Sequence, residues 1–200
     1  MSKEMWNENF SEKKFIYGKE PNEFVKAYSG VIPDGAKVVC FAEGEGRNAV
    51  YLAENGYDVS TYDQSEVGLE KTKELAKERQ VDVKTNQKDL IKETVEPNLY
   101  DAAVMVFGHV PRQNQSFFIQ NMIDSVKPGG YIMFEVYSHD QLPYQSGGPK
   151  SEELLYHPKE VLDWIEPYKC LHYFYGEAER YEGDRHYGLS HVIQVIIQKV

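Results

Sequence analysis

The feature that most constrains the fold is a regular alternation of short apolar runs with helix-like runs from residue 36 onward. "AKVVCFA" is Val-rich and lies between "PDG" and a glycine loop, so it reads as a buried strand. "RNAVYLAEN" follows as a helix, and Gly56 stands where a helix C-cap favours glycine. "YDVSTYD" is a second strand, and Ser65 is placed to cap the helix "EVGLEKTKELAKERQ". "VDVKT" is a short third strand. "YDAAVMVF" is apolar nearly throughout, as a central parallel strand must be. "QSFFIQNMIDSV" reads as a helix stopped by "KPGG", ahead of a fifth strand, "YIMFEVYS". Such alternation implies a parallel sheet with helices on both faces.

The pattern changes after Pro167. "YKCLHYFYGEAERY" and "YGLSHVIQVIIQKV", joined by "EGDRH", read as an antiparallel hairpin. The expected fold is therefore α/β: a Rossmann-like, seven-stranded, mostly parallel sheet with a C-terminal antiparallel hairpin. One domain is expected over 1–200, with the core in 36–200 and a helical segment in 1–30 that breaks near Gly18 and Pro21. Between the fifth strand and the hairpin lies "SHDQLPYQSGGPKSEELLYHP", read as a long loop with a short helix. Long loops in compact domains often carry function.

At 200 residues and 41% hydrophobic content the chain has enough apolar material for a sizeable core. Its net charge of −10 argues against a nucleic-acid partner, which needs a basic footprint. Cys40 and Cys170 form neither a disulfide framework nor a zinc spacing, so no metal is expected and a reducing compartment is the default. The polar "MSKEMWNENFSEKK" has no apolar signal region, and no apolar run reaches the roughly 18 residues of a membrane span. The expectation is a cytoplasmic protein with no membrane partner. Nothing in the sequence sets the oligomeric state.

In an open parallel sheet, ligands sit beyond the carboxyl ends of the strands where strand order reverses. The first such loop is "AEGEGRN", with Gly44 and Gly46 allowing a sharp turn and close backbone approach. Read from Gly44, the G-x-G-x-x-G pattern ends on Ala49, which the dinucleotide fingerprint tolerates. A P-loop is excluded, because no G-K-[ST] follows. Asp63 closes the second strand. A carboxylate there can accept from both hydroxyls of a ribose, or it can serve as a cap ahead of the helix.

Taken together, these segments resemble the class I S-adenosylmethionine-dependent methyltransferases over nearly the whole chain. "AEGEGRNAVYLAENGYDVSTYDQS" is similar to the first two motifs of that superfamily, "QKDL" to the third, "YDAAVMVFGHVP" to the fourth and "VKPGGYIMFEV" to the fifth. The string G-x-G-R-N-A followed by Y-L-A is most similar to the small bacterial branch related to tellurite-resistance and thiopurine-type methyltransferases. "YGKEPNEFV" resembles that branch's lid segment. The resemblance implies S-adenosylmethionine as cofactor and in-line methyl transfer to a small-molecule acceptor. Ala42, Gly44 and Gly46 would provide backbone approach, Asp63 would hold the ribose and Gln64 would pack by the adenine. Asp89 would accept from the adenine amino group, with Leu90 donating its N–H. The carbonyl of Phe107 would hold the methionine amine, and Tyr17 would close over the cofactor. Asn48 either joins this site or caps its helix.

The pattern also departs from the family's. The usual D-x-G-x-G has Cys40 at the Asp position and Ala42 at the first Gly. Ala42 is a small change if its φ is negative. The missing carboxylate leaves Glu43 or a backbone carbonyl to replace it.

On the acceptor side, His109 in "FGHVP" is the candidate general base, or else fixes its loop by hydrogen bonding. Tyr137, Tyr144 and His186 are candidate acceptor-site residues. Arg180, His186 and Tyr187 flank the hairpin turn, where they either bind an anionic acceptor or form a solvated tip. The alternative to an enzyme is a non-catalytic protein of the same fold that binds S-adenosylmethionine or a related nucleotide. An NAD-linked reductase is disfavoured by the terminal hairpin and by the absence of an obvious Tyr-x-x-x-Lys.

Overall fold

Val38, Val39, Cys40 and Phe41 are fully enclosed, as a strand covered on both faces requires. They belong to β1 (Lys37–Phe41) of a computed structural model that describes residues 2–200. In chain order the strands are β1, β2 (Asp58–Asp63), β3 (Val83–Gln87), β4 (Tyr100–Val106), β5 (Val126–Tyr137), β6 (Lys169–Glu182) and β7 (His186–Gln198). The helices are α1 (Lys3–Phe10), α2 (Glu23–Tyr28), α3 (Arg47–Glu54), α4 (Glu66–Glu78), α5 (Arg112–Asp124) and α6 (Pro158–Ile165). The sheet order is β3-β2-β1-β4-β5-β7-β6, parallel from β3 through β5, with β7 antiparallel to both of its neighbours, β5 and β6. This is the Rossmann-like, seven-stranded arrangement expected from the alternation. Strand order reverses between β1 and β4.

Alternate residues of β1 serve opposite faces. Val39 and Phe41 pack with Phe118, Ile119 and Met122 of α5 and Val161 of α6. Val38 and Cys40 pack with Ala49 and Leu52 of α3 and Phe24 of α2. Cys40 is thus a core residue aimed away from the loop it precedes, and burial pushes its thiol pKa well up. Ser65 caps α4 as expected, accepting from Gly68 N–H at 3.0 Å. "KPGG" behaves differently. Tyr100 pairs with Val126 and Ala102 with Tyr131, so residues 127–130 bulge out within β5. Among the described residues no helix is long and apolar enough to cross a membrane, and no group of three or more His, Cys, Asp or Glu is placed to hold a metal ion.

Candidate functional site

A cavity of about 490 Å³ opens where β1 and β4 diverge at their carboxyl ends, the size of a small-ligand site. Tyr17, Ala42, Gly44, Asn48, Asp63, Gln64, Asp89, Leu90, Phe107, His109 and His186 all line it. These residues come from the N-terminal segment, the ends of four strands, α3 and the hairpin, so the fold gathers them from across the chain.

Two residues on its rim hold left-handed backbone without being glycine: Ala42 at φ +49° and Phe107 at φ +53°. Each costs roughly 1–2 kcal/mol relative to an ordinary conformation. They end β1 and β4, on either side of the strand-order reversal. The condition on which Ala42 would be a small change is therefore not met, because its φ is positive. The turn is held by Ala42 N–H donating to Tyr62 O at 2.8 Å and Phe107 N–H donating to Glu135 O at 2.8 Å.

Asp63 is buried at the end of β2. Its Oδ2 accepts from Gly44 N–H at 2.9 Å and its Oδ1 from Ser65 N–H at 2.8 Å. Each oxygen keeps a lone pair for a further donor. Burial pushes its pKa up to about 6, against the opposing pull of those backbone donors. Glu43 lies one turn away. Its Oε1 accepts from Asn48 and Ala49 N–H at 2.8 and 2.9 Å, so it caps α3 from the loop. Burial raises its pKa to about 7, again opposed by its helix donors. Asn48 does not cap its helix. Its Oδ1 accepts from Asn22 N–H at 2.9 Å and ties the N-terminal segment to α3. Asp89 pairs with Lys92 at 2.8 Å, while Leu90 beside it is buried.

At the other end of the cavity stand His109 and His186. His109 Nδ1 lies 2.8 Å from Leu154 O, which fixes Nδ1 as the protonated nitrogen of the neutral ring. Its Nε2 is closed off without a partner. Burial lowers its pKa to about 4, against the raising effect of the Leu154 bond. His186 packs against Tyr17 with ring centroids 4.7 Å apart and against Phe107 at 4.6 Å.

Behind His186 is a buried polar cluster that the sequence reading did not assemble. Glu182 accepts from Arg47 Nη2 at 2.6 Å and from Asn22 Nδ2 at 2.8 Å. Asn22 also donates to Glu135 at 2.9 Å, and Arg180 and Gln194 donate to Glu135 as well. Burial opposes ionisation of Glu182, yet Arg47 and His186 outweigh it and hold the carboxyl at about 2. A lone acid inside the apolar "YIMFEVYS", and Arg180 and Glu182 two residues apart on one strand face, were the signals available in the sequence.

Some expected site residues are placed elsewhere. Gly46 is off the cavity wall. It holds φ +90° ahead of α3, and a Cβ there would meet Thr72 at 2.7 Å, so handedness and helix packing require it. Tyr137 is fully buried and stacks on Phe107 at 4.2 Å, behind the wall. Tyr144 donates to Glu177 at 2.5 Å, on the outer side of the long loop. Arg180 is buried and paired with Glu135, so it is no solvated tip, whereas Tyr187 is exposed.

Comparison with known proteins places this geometry in a class. The structure resembles TehB from Haemophilus influenzae, with a TM-score of 0.73 at 22% identity over 89% of this chain and 62% of that one. It also resembles a TehB-like SAM-dependent methyltransferase from Corynebacterium glutamicum, with a TM-score of 0.63 at 15% identity over 98% and 95% of the two chains. The fold is that of the class I S-adenosylmethionine-dependent methyltransferases. Residues 4–181 match the family described as tellurite resistance protein TehB, and the chain belongs to that family. A relative from Haemophilus influenzae described as a probable S-adenosyl-L-methionine-dependent methyltransferase TehB is 25% identical over 183 residues, 84% of this chain and 62% of its own length. The chain thus spans about three fifths of the curated relatives it matches.

Proposed function

We propose that the chain binds S-adenosylmethionine in this cavity and transfers its methyl group to a small-molecule acceptor by in-line displacement. The observation that carries this reading is the carboxylate of Asp63, which faces the Ala42–Gly44 turn across the strand-order reversal. The donor set fits the cofactor. Asp63 has lone pairs left for ribose hydroxyls, and Leu90, Ile91 and Phe118 form an apolar wall for the adenine. Asp89 and the Leu90 N–H stand at that wall. Glu43 and the carbonyl of Phe107 remain for the methionine end, since Cys40 points into the core.

The bound cofactor supplies an electrophilic sulfonium methyl group. The protein's part is to align the acceptor with it and exclude water, and positioning of this kind is worth roughly 7 kcal/mol or more of a barrier. The N-terminal segment serves as the lid. Glu45 Oε1 accepts from Ile16 N–H at 3.3 Å and from Lys71 Nζ at 2.7 Å, and Oε2 accepts from Tyr17 N–H at 3.2 Å. A Cβ on Gly183 would meet the Tyr17 carbonyl carbon at 2.5 Å, so the hairpin tip closes on the same lid. His109 fixes the fourth-strand loop to the long loop through Leu154.

Calorimetric titration with S-adenosylmethionine and S-adenosylhomocysteine tests the reading. Wild type is expected to bind both, and Asp63→Ala to weaken binding by about tenfold or more, the loss of roughly one charged hydrogen bond. Binding of neither ligand overturns the reading. Binding with no transfer to any acceptor in a broad panel favours the non-catalytic alternative.

A further inference from the structure

The methyl-transfer reading leaves open which group, if any, receives a proton from the acceptor. Two histidines line that end of the cavity, and their surroundings differ. His109 has its Nε2 closed off, and Nδ1 is committed to a backbone carbonyl. Among the described residues no carboxylate pairs with its ring, whose polar partner is Leu154 O. His186 Nδ1 lies 3.6 Å from Glu182 Oε2, just beyond hydrogen-bond length, and is closed off from solvent. Among the described residues its Nε2 makes no hydrogen bond, and unlike Nδ1 it is not closed off, so it is the nitrogen left available to the cavity that His186 lines.

A carboxylate beside Nδ1 favours the tautomer with the proton on that nitrogen, because a lone pair facing an anion is repelled. Nε2 then carries the free lone pair. Glu182 is itself immobilised by Arg47 and Asn22, so the ring is oriented by a rigid pair. Tyr17 packs on it at a tilt, with ring centroids 4.7 Å apart, and Phe107 meets it in an edge-type contact at 4.6 Å.

We propose that His186, oriented by Glu182, accepts the proton that the acceptor gives up as its N, O or S atom takes the methyl group, so that the site selects acceptors that arrive protonated. This inference rests on the methyl-transfer reading. In that step the acceptor's lone pair closes a bond to the methyl carbon. The carbon–sulfur bond breaks with its electron pair left on sulfur, and the acceptor's proton ends on His186 Nε2. One positive charge disappears at sulfur and one appears on the imidazole, facing Glu182, so the cavity's net charge is unchanged. Glu182 is a positioning residue in this scheme.

The charged and titratable groups around His186 are Glu182 on β6, Arg47 on α3, Glu135 on β5 and His109 after β4. Tyr17 from the lid and Tyr137 from β5 pack near the ring, and Arg185 precedes it on the cavity wall. Burial lowers the His186 pKa, with Arg47 adding to that and Glu182 opposing it. The ring is therefore expected to keep its lone pair to lower pH than a free imidazole.

Diethyl pyrocarbonate, which acylates an accessible imidazole lone pair, is the probe, with modification sites located by peptide mass spectrometry. In wild type His186 is expected to react about tenfold or more faster than His109, and Glu182→Gln to slow His186 by about tenfold as the tautomer is released. His186→Gln should abolish that signal alone. If Glu182→Gln fails to fold, the wild-type contrast between the two histidines decides. Equal or slower reaction at His186, or an unchanged rate in a folded Glu182→Gln, overturns the proposal. Calorimetry on the same samples separates the two claims. Cofactor binding with an unreactive His186 removes the base alone, while absence of cofactor binding removes the methyl-transfer reading as well.

Discussion

Ala42 and Asp63 show how single residues set the properties of the cavity mouth. Ala42 holds a left-handed conformation that glycine adopts without penalty. Ala42→Gly is expected to stabilise the protein by about 1 kcal/mol, less a few tenths for the added freedom of the unfolded chain, as read by urea denaturation. Glu43 and Asp63 titrate upward on folding, to about 7 and about 6. A carboxyl whose folded pKa is raised costs stability when ionised, so these two groups should add stability to the ligand-free protein as pH falls from 8 through 6. The opposite sign holds for Glu182. Its pKa near 2 contributes stability above the normal carboxylate range, lost as pH falls below about 4.5. Below about pH 6.5 the buried neutral His109 and His186 oppose any further gain, because the unfolded chain protonates them first. Melting temperature should therefore rise from pH 8 to about 6.5 and level off below it, and Glu43→Gln should flatten the alkaline limb. Cofactor binding should run against this trend. Ribose hydroxyls need an ionised Asp63, so affinity is expected to fall below about pH 6 in calorimetry.

At the scale of elements, the question is what holds the N-terminal segment down. α1 packs on α4, and the lid after it is held by Glu45, which accepts from Ile16 and Tyr17 N–H, together with Lys71 Nζ donating to Lys14 O at 2.7 Å and Asp184 N–H donating to Ile16 O at 3.1 Å. Removing a carboxylate that pairs with a buried lysine costs about 3–5 kcal/mol when the partner stays behind. Glu45→Ala should spend part of that locally, by releasing residues 13–19, before the core unfolds. The expected result is faster tryptic cleavage at Lys13, Lys14 or Lys19 and faster amide exchange at Ile16 and Tyr17, with little change in β1 and β4. Protection of Ile16 and Tyr17 equal to that of wild type would show that Glu45 does not hold the lid.

For the molecule as a whole, the buried charges join parts of the chain that are remote in sequence. Asn22 comes from the N-terminal segment, Arg47 from α3, Glu135 from β5, Arg180 and Glu182 from β6 and Gln194 from β7. Glu135→Ala leaves Arg180 buried without its partner and should cost about 3–5 kcal/mol in denaturant unfolding. Replacing both, as Glu135→Leu with Arg180→Met, should recover most of that loss, because two desolvated charges are removed together. Equal loss in the double variant would mean that the pair itself, and not the stranded charge, carries the stability.

The architecture was legible in the sequence because burial leaves periodic traces. "VVCF" and "AAVMV" are apolar throughout since both their faces are covered, and the terminal hairpin alternates in part since its strands are covered unequally. The positions of Asp63, Leu90, Phe107 and His109 at strand ends follow from the same logic, because a parallel sheet places its cleft at those ends. What the sequence could not decide was set by side-chain direction and by distance in three dimensions. Gly46 sits in the right loop yet packs on Thr72, and Asn48 lines the cavity while its Oδ1 is committed to Asn22 N–H. Tyr137 is at a strand end but turns inward, since its side of the strand faces Phe107. The pairing of Glu182 with Arg47 spans 135 positions, and no local pattern records it. The sequence by itself determined the layers, the strand ends and hence the location of the cleft, through local periodicity. Only the tertiary structure decided which polar groups meet inside it, because those contacts depend on packing between segments that carry no signal of one another.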